Sequence, residues 1–228
     1  LLQQMLFVQD LLVFYQISTR SIPPQAIPEK IILLDNKEYK KDDIDIDIDI
    51  ASKELHLIGV LKGTNNGLEL DKELTRVEGA LIFSRLLDLM FTQETFKQTN
   101  LARLNCDCPG PIWDDVPEWA TKEIFELERQ GLIKGVSSTK FGSYQKMTAE
   151  QFTTLILRAL NYNDNNGDFV WNKSLEKAVE VGLLSNEQRI IIEEDESFTR
   201  GEMSIIAYNY IKIKSFNKIM IAEDIPNF

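Results

Sequence analysis

Apolar residues return along this chain at helical spacing, in stretches that are alike. Phe152, Leu155, Ile156, Ala159 and Leu160 stand at i, i+3, i+4, i+7 and i+8, one face of a helix. Met203, Ile206, Ala207, Tyr210 and Ile211 keep the same offsets, as do Gly79, Ile82, Phe83, Leu86 and Leu87. A leading stripe comes before two of these: Ala120, Ile124, Leu127 and Gly131, then Trp171, Leu175, Ala178 and Gly182. Each leading segment closes on a glycine turn. It reads Gly59-Val60-Leu61-Lys62-Gly63 in the first case, Gly131-Leu132-Ile133-Lys134-Gly135 in the second and Gly182-Leu183 in the third. One helix-loop-helix unit is therefore read three times. No such pair buries its stripes alone, so the three copies are expected to pack around a shared axis in an all-α fold.

Outside the units the pattern changes. Residues 1–20 are apolar but carry Asp10 and have no Lys or Arg before Arg20. That fits an amphipathic helix or a degraded leader better than a signal peptide or a membrane span. Pro23, Pro24 and Pro28 mark an extended linker, and residues 31–34 a short strand candidate. Residues 43–50 alternate Asp and Ile, which predicts a half-buried strand with one acidic face. Calcium on Asp43, Asp45, Asp47 and Asp49 is the weaker reading, since turn and carbonyl ligands are missing. The organisation expected is an N-terminal extension 1–44, repeats at 45–91, 113–162 and 163–214, an insertion 92–112 and a tail 215–228. Cys106 and Cys108, in the insertion, are read as loop thiols: one intervening residue gives a strained ring. The polar run 163–168 lacks ligands at the first and last positions of a calcium loop and is read as a turn between repeats.

The middle unit, Asp115-Val116-Pro117-Glu118-Trp119-Ala120 through Gly131, Gly135 and Phe141 to Thr148-Ala149-Glu150-Gln151, resembles the S-layer homology domain. The resemblance extends over roughly 45–214. It implies a helical domain with three-fold pseudo-symmetry. It also implies a secreted, cell-surface setting and grooves between repeats that hold an anionic, pyruvylated secondary cell-wall polysaccharide. The first and third units match less completely.

Charge bears on this in one way. The net charge is −11, with 36 Asp and Glu against 25 Lys and Arg. No basic stripe exists to neutralise a nucleic acid. An acidic polymer can be held only where a few cations are concentrated locally.

The candidate residues follow. Thr75-Arg76-Val77-Glu78, Thr148-Ala149-Glu150-Gln151 and Thr199-Arg200-Gly201-Glu202 are three capping boxes. The arginines are not needed for capping and face the unfavourable end of the helix dipole. On that ground Arg200→Ala is expected to be neutral or slightly stabilising. A helix N-terminus with a guanidinium fork can take a carboxylate, and the resemblance assigns that work to Arg76 and Arg200, leaving the groove of Ala149 weak. A surface ion pair is the alternative. Trp119 is read either as a sugar-stacking plate or as packing, whereas Trp171, at the position of Ala120, is read as core. Asp115 either accepts from sugar hydroxyls or caps a turn. Lys62 and Lys134 are groove candidates or solvated surface. His56, the only histidine, has no nucleophile motif beside it, and no metal or cofactor is implied. The function expected is non-covalent anchoring of a bacterial surface protein to cell-wall glycan, without catalysis. The alternative is an assembly module that packs against other surface-layer proteins.

Overall fold

A computed structural model describes residues 41–90 and 113–223. The apolar segment 1–20, the proline linker, the 31–34 strand candidate and the whole expected insertion with both cysteines lie outside these residues. The described part is mainly helical, with no strand among its residues. Seven α-helices succeed one another: α1 Lys41–Leu57, α2 Arg76–Met90, α3 Thr121–Arg129, α4 Ala149–Ala159, α5 Ser174–Glu180, α6 Asn186–Glu194 and α7 Arg200–Glu223. Short 3₁₀ turns at Glu118–Ala120, Asp164–Asn166 and Trp171–Lys173 join them.

Three of these elements depart from the sequence reading. The expected strand at 43–50 is the first half of α1. Alternation implies a strand only where a partner strand exists. What α1 buries instead is a helical stripe, Ala51, Ser52 and Leu55, with Ile48 packed partly against the core. The shared acidic face required for calcium is lost with the strand: Asp47 accepts from Gln188 Nε2 at 2.7 Å, and Asp49 pairs with Lys53 along the helix. Helix α6 was not anticipated. It takes the place of the loop that joins the glycine turn to the capping box in the second unit, over the same number of residues, and is capped, with Ser185 accepting from Gln188 N at 3.1 Å. The tail expected from 215 is helical as far as Glu223, because after Gly201 in the first turn no Gly or Pro follows in α7 before Pro226.

All three capping boxes form. In α4 the Thr148 hydroxyl accepts from Gln151 N at 3.3 Å, while Gln151 Oε1 accepts from Thr148 N at 3.4 Å. Glu78 and Glu202 do the same for α2 and α7, with Thr75 N and Thr199 N donating at 2.9 and 2.7 Å. At the other ends, Gly59, Gly131 and Gly182 adopt φ of 78°, 70° and 73°, which closes α1, α3 and α5. The next amide then reaches back, from Leu132 to the Leu127 carbonyl at 2.9 Å and from Leu183 to Ala178 at 2.8 Å.

Helices α2, α4 and α7 pack on one another and carry the core. Phe83, Phe152, Ile156, Ile206 and Tyr210 are fully buried there. The outer helices then cover them: α3 lies on α2, α5 on α4 and α1 on α7. The loops add hydrogen bonds to the starts of the inner helices. Arg76 N and Val77 N donate to the carbonyls of Gln145 and Ser143 at 2.9 and 3.1 Å. Arg200 N and Gly201 N donate to Lys72 and Leu70, both at 2.9 Å. First-turn amides that would otherwise lack partners are thereby satisfied by other segments of the chain.

Two predictions follow from the caps. Thr148→Ala removes one acceptor and is expected to lower stability by about 1 kcal/mol in urea unfolding, without loss of helix content. Glu202 is only 2% exposed, so burial, with the Asp195 carboxyl adding to it, pushes its carboxyl up to about 7 against the two bonds from Thr199. The folded chain holds that proton longer than the unfolded one, whose carboxyl titrates near ~4.3. Stability from this group is therefore lost as pH rises from that value through about 7. Glu202→Gln keeps the cap, as Gln151 does in α4. Thermal melts should show it gaining on the wild type at pH 8 and not at pH 4; parallel melting curves across this range would refute the assignment.

Candidate functional site

The loop between α3 and α4 forms one wall of a groove of about 330 Å³. Its shape is fixed from beneath. Asp115 accepts from three consecutive loop amides, Phe141 N at 2.7 Å, Gly142 N at 2.8 Å and Ser143 N at 2.9 Å. Partial burial raises the Asp115 carboxyl, but these bonds outweigh it and leave the group below its ordinary range. Trp113 stacks on Phe141, with ring centroids 5.3 Å apart. Gly135 lets that stack close up, since a Cβ there would fall 2.3 Å from Trp113 Nε1 and 2.6 Å from the Lys140 carbonyl.

Arg76 crosses from α2 to this loop. Its Nε donates to the Phe141 carbonyl at 3.1 Å, Nη2 to the Lys134 carbonyl at 3.0 Å and Nη1 to Gln151 Oε1 at 3.1 Å. The guanidinium also lies over the Phe141 ring, 5.0 Å from its centroid. Burial pulls its pKa down and the Asp115 carboxylate opposes that. From α4, Arg158 donates through Nη1 to the Leu132 carbonyl at 2.6 Å, and through Nε and Nη2 to both Asp164 oxygens at 2.8 and 2.9 Å. The exposed Lys134 ammonium donates to the side-chain oxygen of Asn165. Trp171 closes the far side. It is 53% exposed, which corrects the expectation of a core residue. Ala120, at the matching sequence position, is the last residue of its 3₁₀ turn and is buried, whereas Trp171 is the first residue of its own and is exposed.

The structure thus brings Arg76 and Lys134 together and adds Arg158, Asp164 and Trp171, which pattern reading did not select. Arg158 stands ten positions after Thr148, as Arg85 does after Thr75 (158 − 148 and 85 − 75), and Arg85 Nη1 donates to the Val60 carbonyl at 3.2 Å. That repeat of spacing was a usable signal.

Arg200 is the counterpart of Arg76. Its Nε donates to the Leu68 carbonyl at 2.9 Å and its Nη2 to the Lys62 carbonyl at 2.8 Å. At 7% exposure it is a buried clamp on the loop after α1. The open anion fork expected at the starts of α2 and α7 does not match this geometry, because loop carbonyls occupy both the first-turn amides and the guanidinium edges. The dipole argument changes with it, since partial negative charge already sits where the arginine points. Lys62 keeps an exposed side chain, and Trp119 is 60% exposed, but neither lines the Arg76 groove. Ala149 lines a different cavity of about 290 Å³, with Glu73, Glu150, Glu193, Asp195 and Glu196 against the single Lys146. That surface repels anions.

No family model matches this chain. Over 183 residues, 80% of the chain, it is 23% identical to the middle cell wall protein of Brevibacillus brevis, of which the match covers 16%. Over 164 residues, 67% of the chain, it is 24% identical to an endoglucanase of Bacillus sp. (strain KSM-635), covering 17% of that protein. A third match, 28% identical over 106 residues, is to endo-1,4-beta-xylanase A of Thermoanaerobacterium saccharolyticum and covers 42% of this chain and 9% of the xylanase. The chain therefore spans about a sixth of the length of the first two relatives. Among the described residues, no helix is long and apolar enough to cross a membrane.

The clamp geometry predicts that Arg200→Ala destabilises the fold, by about 2 kcal/mol, since two carbonyls lose charged donors. Urea unfolding measures this. A neutral or stabilising result would restore the dipole argument.

Proposed function

We propose that this chain is an attachment module similar to the S-layer homology domain, which holds a bacterial surface protein to an anionic cell-wall polysaccharide. In this reading the three helix-loop-helix units are pseudo-three-fold repeats about the axis of α2, α4 and α7. The observation that carries the proposal is the groove between them. Lys134 and Arg76 put positive charge on one wall and Trp171 presents an exposed aromatic plate on the other. A sugar ring stacks on the plate while its acidic substituent meets the ammonium. Arg76, Arg158 and Asp115 hold the loop in shape, and Arg200 does so for the loop of Lys62. Lys62 and Trp119 are left as secondary contacts.

The relatives support attachment over catalysis. They are named for different activities, and one is named a cell wall protein, yet each shares a stretch of this chain. A stretch common to proteins of different activity suits a module that places them. Cell-surface location follows from the same reading. An assembly role, with other surface-layer proteins as partners, is the second reading. The acidic lining beside Ala149 favours it, because that counterpart of the groove does not suit an anionic glycan.

Sedimentation with purified wall sacculi is the direct test. The protein should co-sediment before extraction of the secondary polymer and remain in solution afterwards. Calorimetry with a short acidic fragment of that polymer should give one principal site. Lys134→Ala should weaken it about tenfold, the loss of one charge-assisted bond. Trp171→Ala should weaken it severalfold and leave the melting temperature unchanged. Retained sedimentation after extraction would instead support the assembly reading.

A further inference from the structure

The ammonium of the cationic groove is already engaged at rest by Asn165, from a loop of the same chain. We propose that Asn165 sets the groove's affinity by standing in for a ligand oxygen on Lys134, so that an anion must displace it. The inference rests on the anionic-ligand reading above. Its geometry does not depend on that reading.

The side-chain orientation of Asn165 is determined locally. Asn165 N and Nδ2 both donate to Asn163 Oδ1, at 2.8 and 3.0 Å, which turns the amide oxygen outward to the Lys134 ammonium. The short turn Asp164–Asn166 that carries it is held from both ends. Asp164 is fastened to Arg158 by two bonds in an ion pair whose side chains are 10% and 12% exposed. Asn163 N donates to Asp168 Oδ2 at 2.7 Å, across Gly167 at φ 86°. Asp164 is thus hydrogen-bonded to Arg158 and acts on Lys134 through space only, whereas the hydrogen-bond acceptor that Lys134 meets, Asn165, is neutral. A carboxylate competes well against an amide oxygen for an ammonium, because the charged acceptor makes the stronger bond. Asn165 therefore holds the lysine head in place without cancelling the charge that a ligand needs.

The identity of residue 165 then tunes binding in both directions. Asn165→Asp places an internal carboxylate on the ammonium and should weaken capture of the acidic polymer fragment by about fivefold, the upper range for an exposed ion pair. Asn165→Ala should strengthen it severalfold. On a Lys134→Ala background both effects should vanish. A readout that needs no glycan runs beside this: trace labelling of the folded protein with an amine-acylating reagent, read peptide by peptide, with Lys62 as internal reference. Lys134 should react faster in Asn165→Ala and slower in Asn165→Asp. If labelling shifts as expected while no variant binds the fragment, the glycan reading fails and the Asn165 contact stands. If Lys134 labels equally in all three proteins, or Asn165→Ala binds as weakly as Lys134→Ala, the displacement proposal is overturned.

Discussion

The structure depends on how the first turns of two inner helices are satisfied. A helix start leaves amides pointing outward with no partner of their own, and a buried one must find acceptors elsewhere. In α2 and α7 those acceptors are carbonyl oxygens of other loops, from 143–145 and from 70–72. The arginine in each first turn extends the same contact, reaching further carbonyls at Lys134 and Phe141, or at Lys62 and Leu68. Helix packing and loop shape are therefore one problem with one solution. The loops are themselves anchored by buried apolar residues, Val60, Leu61 and Leu74 in one and Ile133, Phe141 and Met147 in the other, which hold their carbonyls where the helix starts need them.

Charge is handled locally rather than in bulk. The chain carries −11 overall, yet the groove beside Trp171 gathers Arg76, Lys134 and Arg158 around one acid, Asp164. The cavity at Ala149 does the reverse, with five carboxylates around one lysine. A missing arginine alone does not produce that contrast. The acids at 193–196 come from α6 and the segment after it, which stand where the second unit has the 136–147 loop. The two cavities thus carry opposite fields, and exposed charges separated by more than a Debye length of about 10 Å act almost independently.

The distinction between cation and contact also matters for reading such sites. Of the basic groups near the groove, Arg158 is paired with a carboxylate, Arg76 is spent on two carbonyls and an amide, and only Lys134 meets a weak acceptor. Counting positive residues would overstate the field available to a ligand.

Local pattern decided a great deal by itself. The three capping boxes and the three glycine turns rest on interactions within about five residues along the chain, and the stripes of α2, α4 and α7 repeat at helical spacing, so the sequence reveals them. The same logic failed at residues 43–50, where alternation mimicked a strand but no partner strand was there to make it one. It failed again at Trp171, since a backbone turn of three residues sets which way that ring points. What a polar side chain does was decided only by tertiary structure. Asp115 is bound to amides at 141–143, Arg76 to a loop near 134–141 and Arg200 to one at 62–68, each a partner remote in sequence. An arginine or aspartate bonds to whichever acceptor or donor the fold brings within 3 Å or so, and no periodicity along the chain encodes that distance.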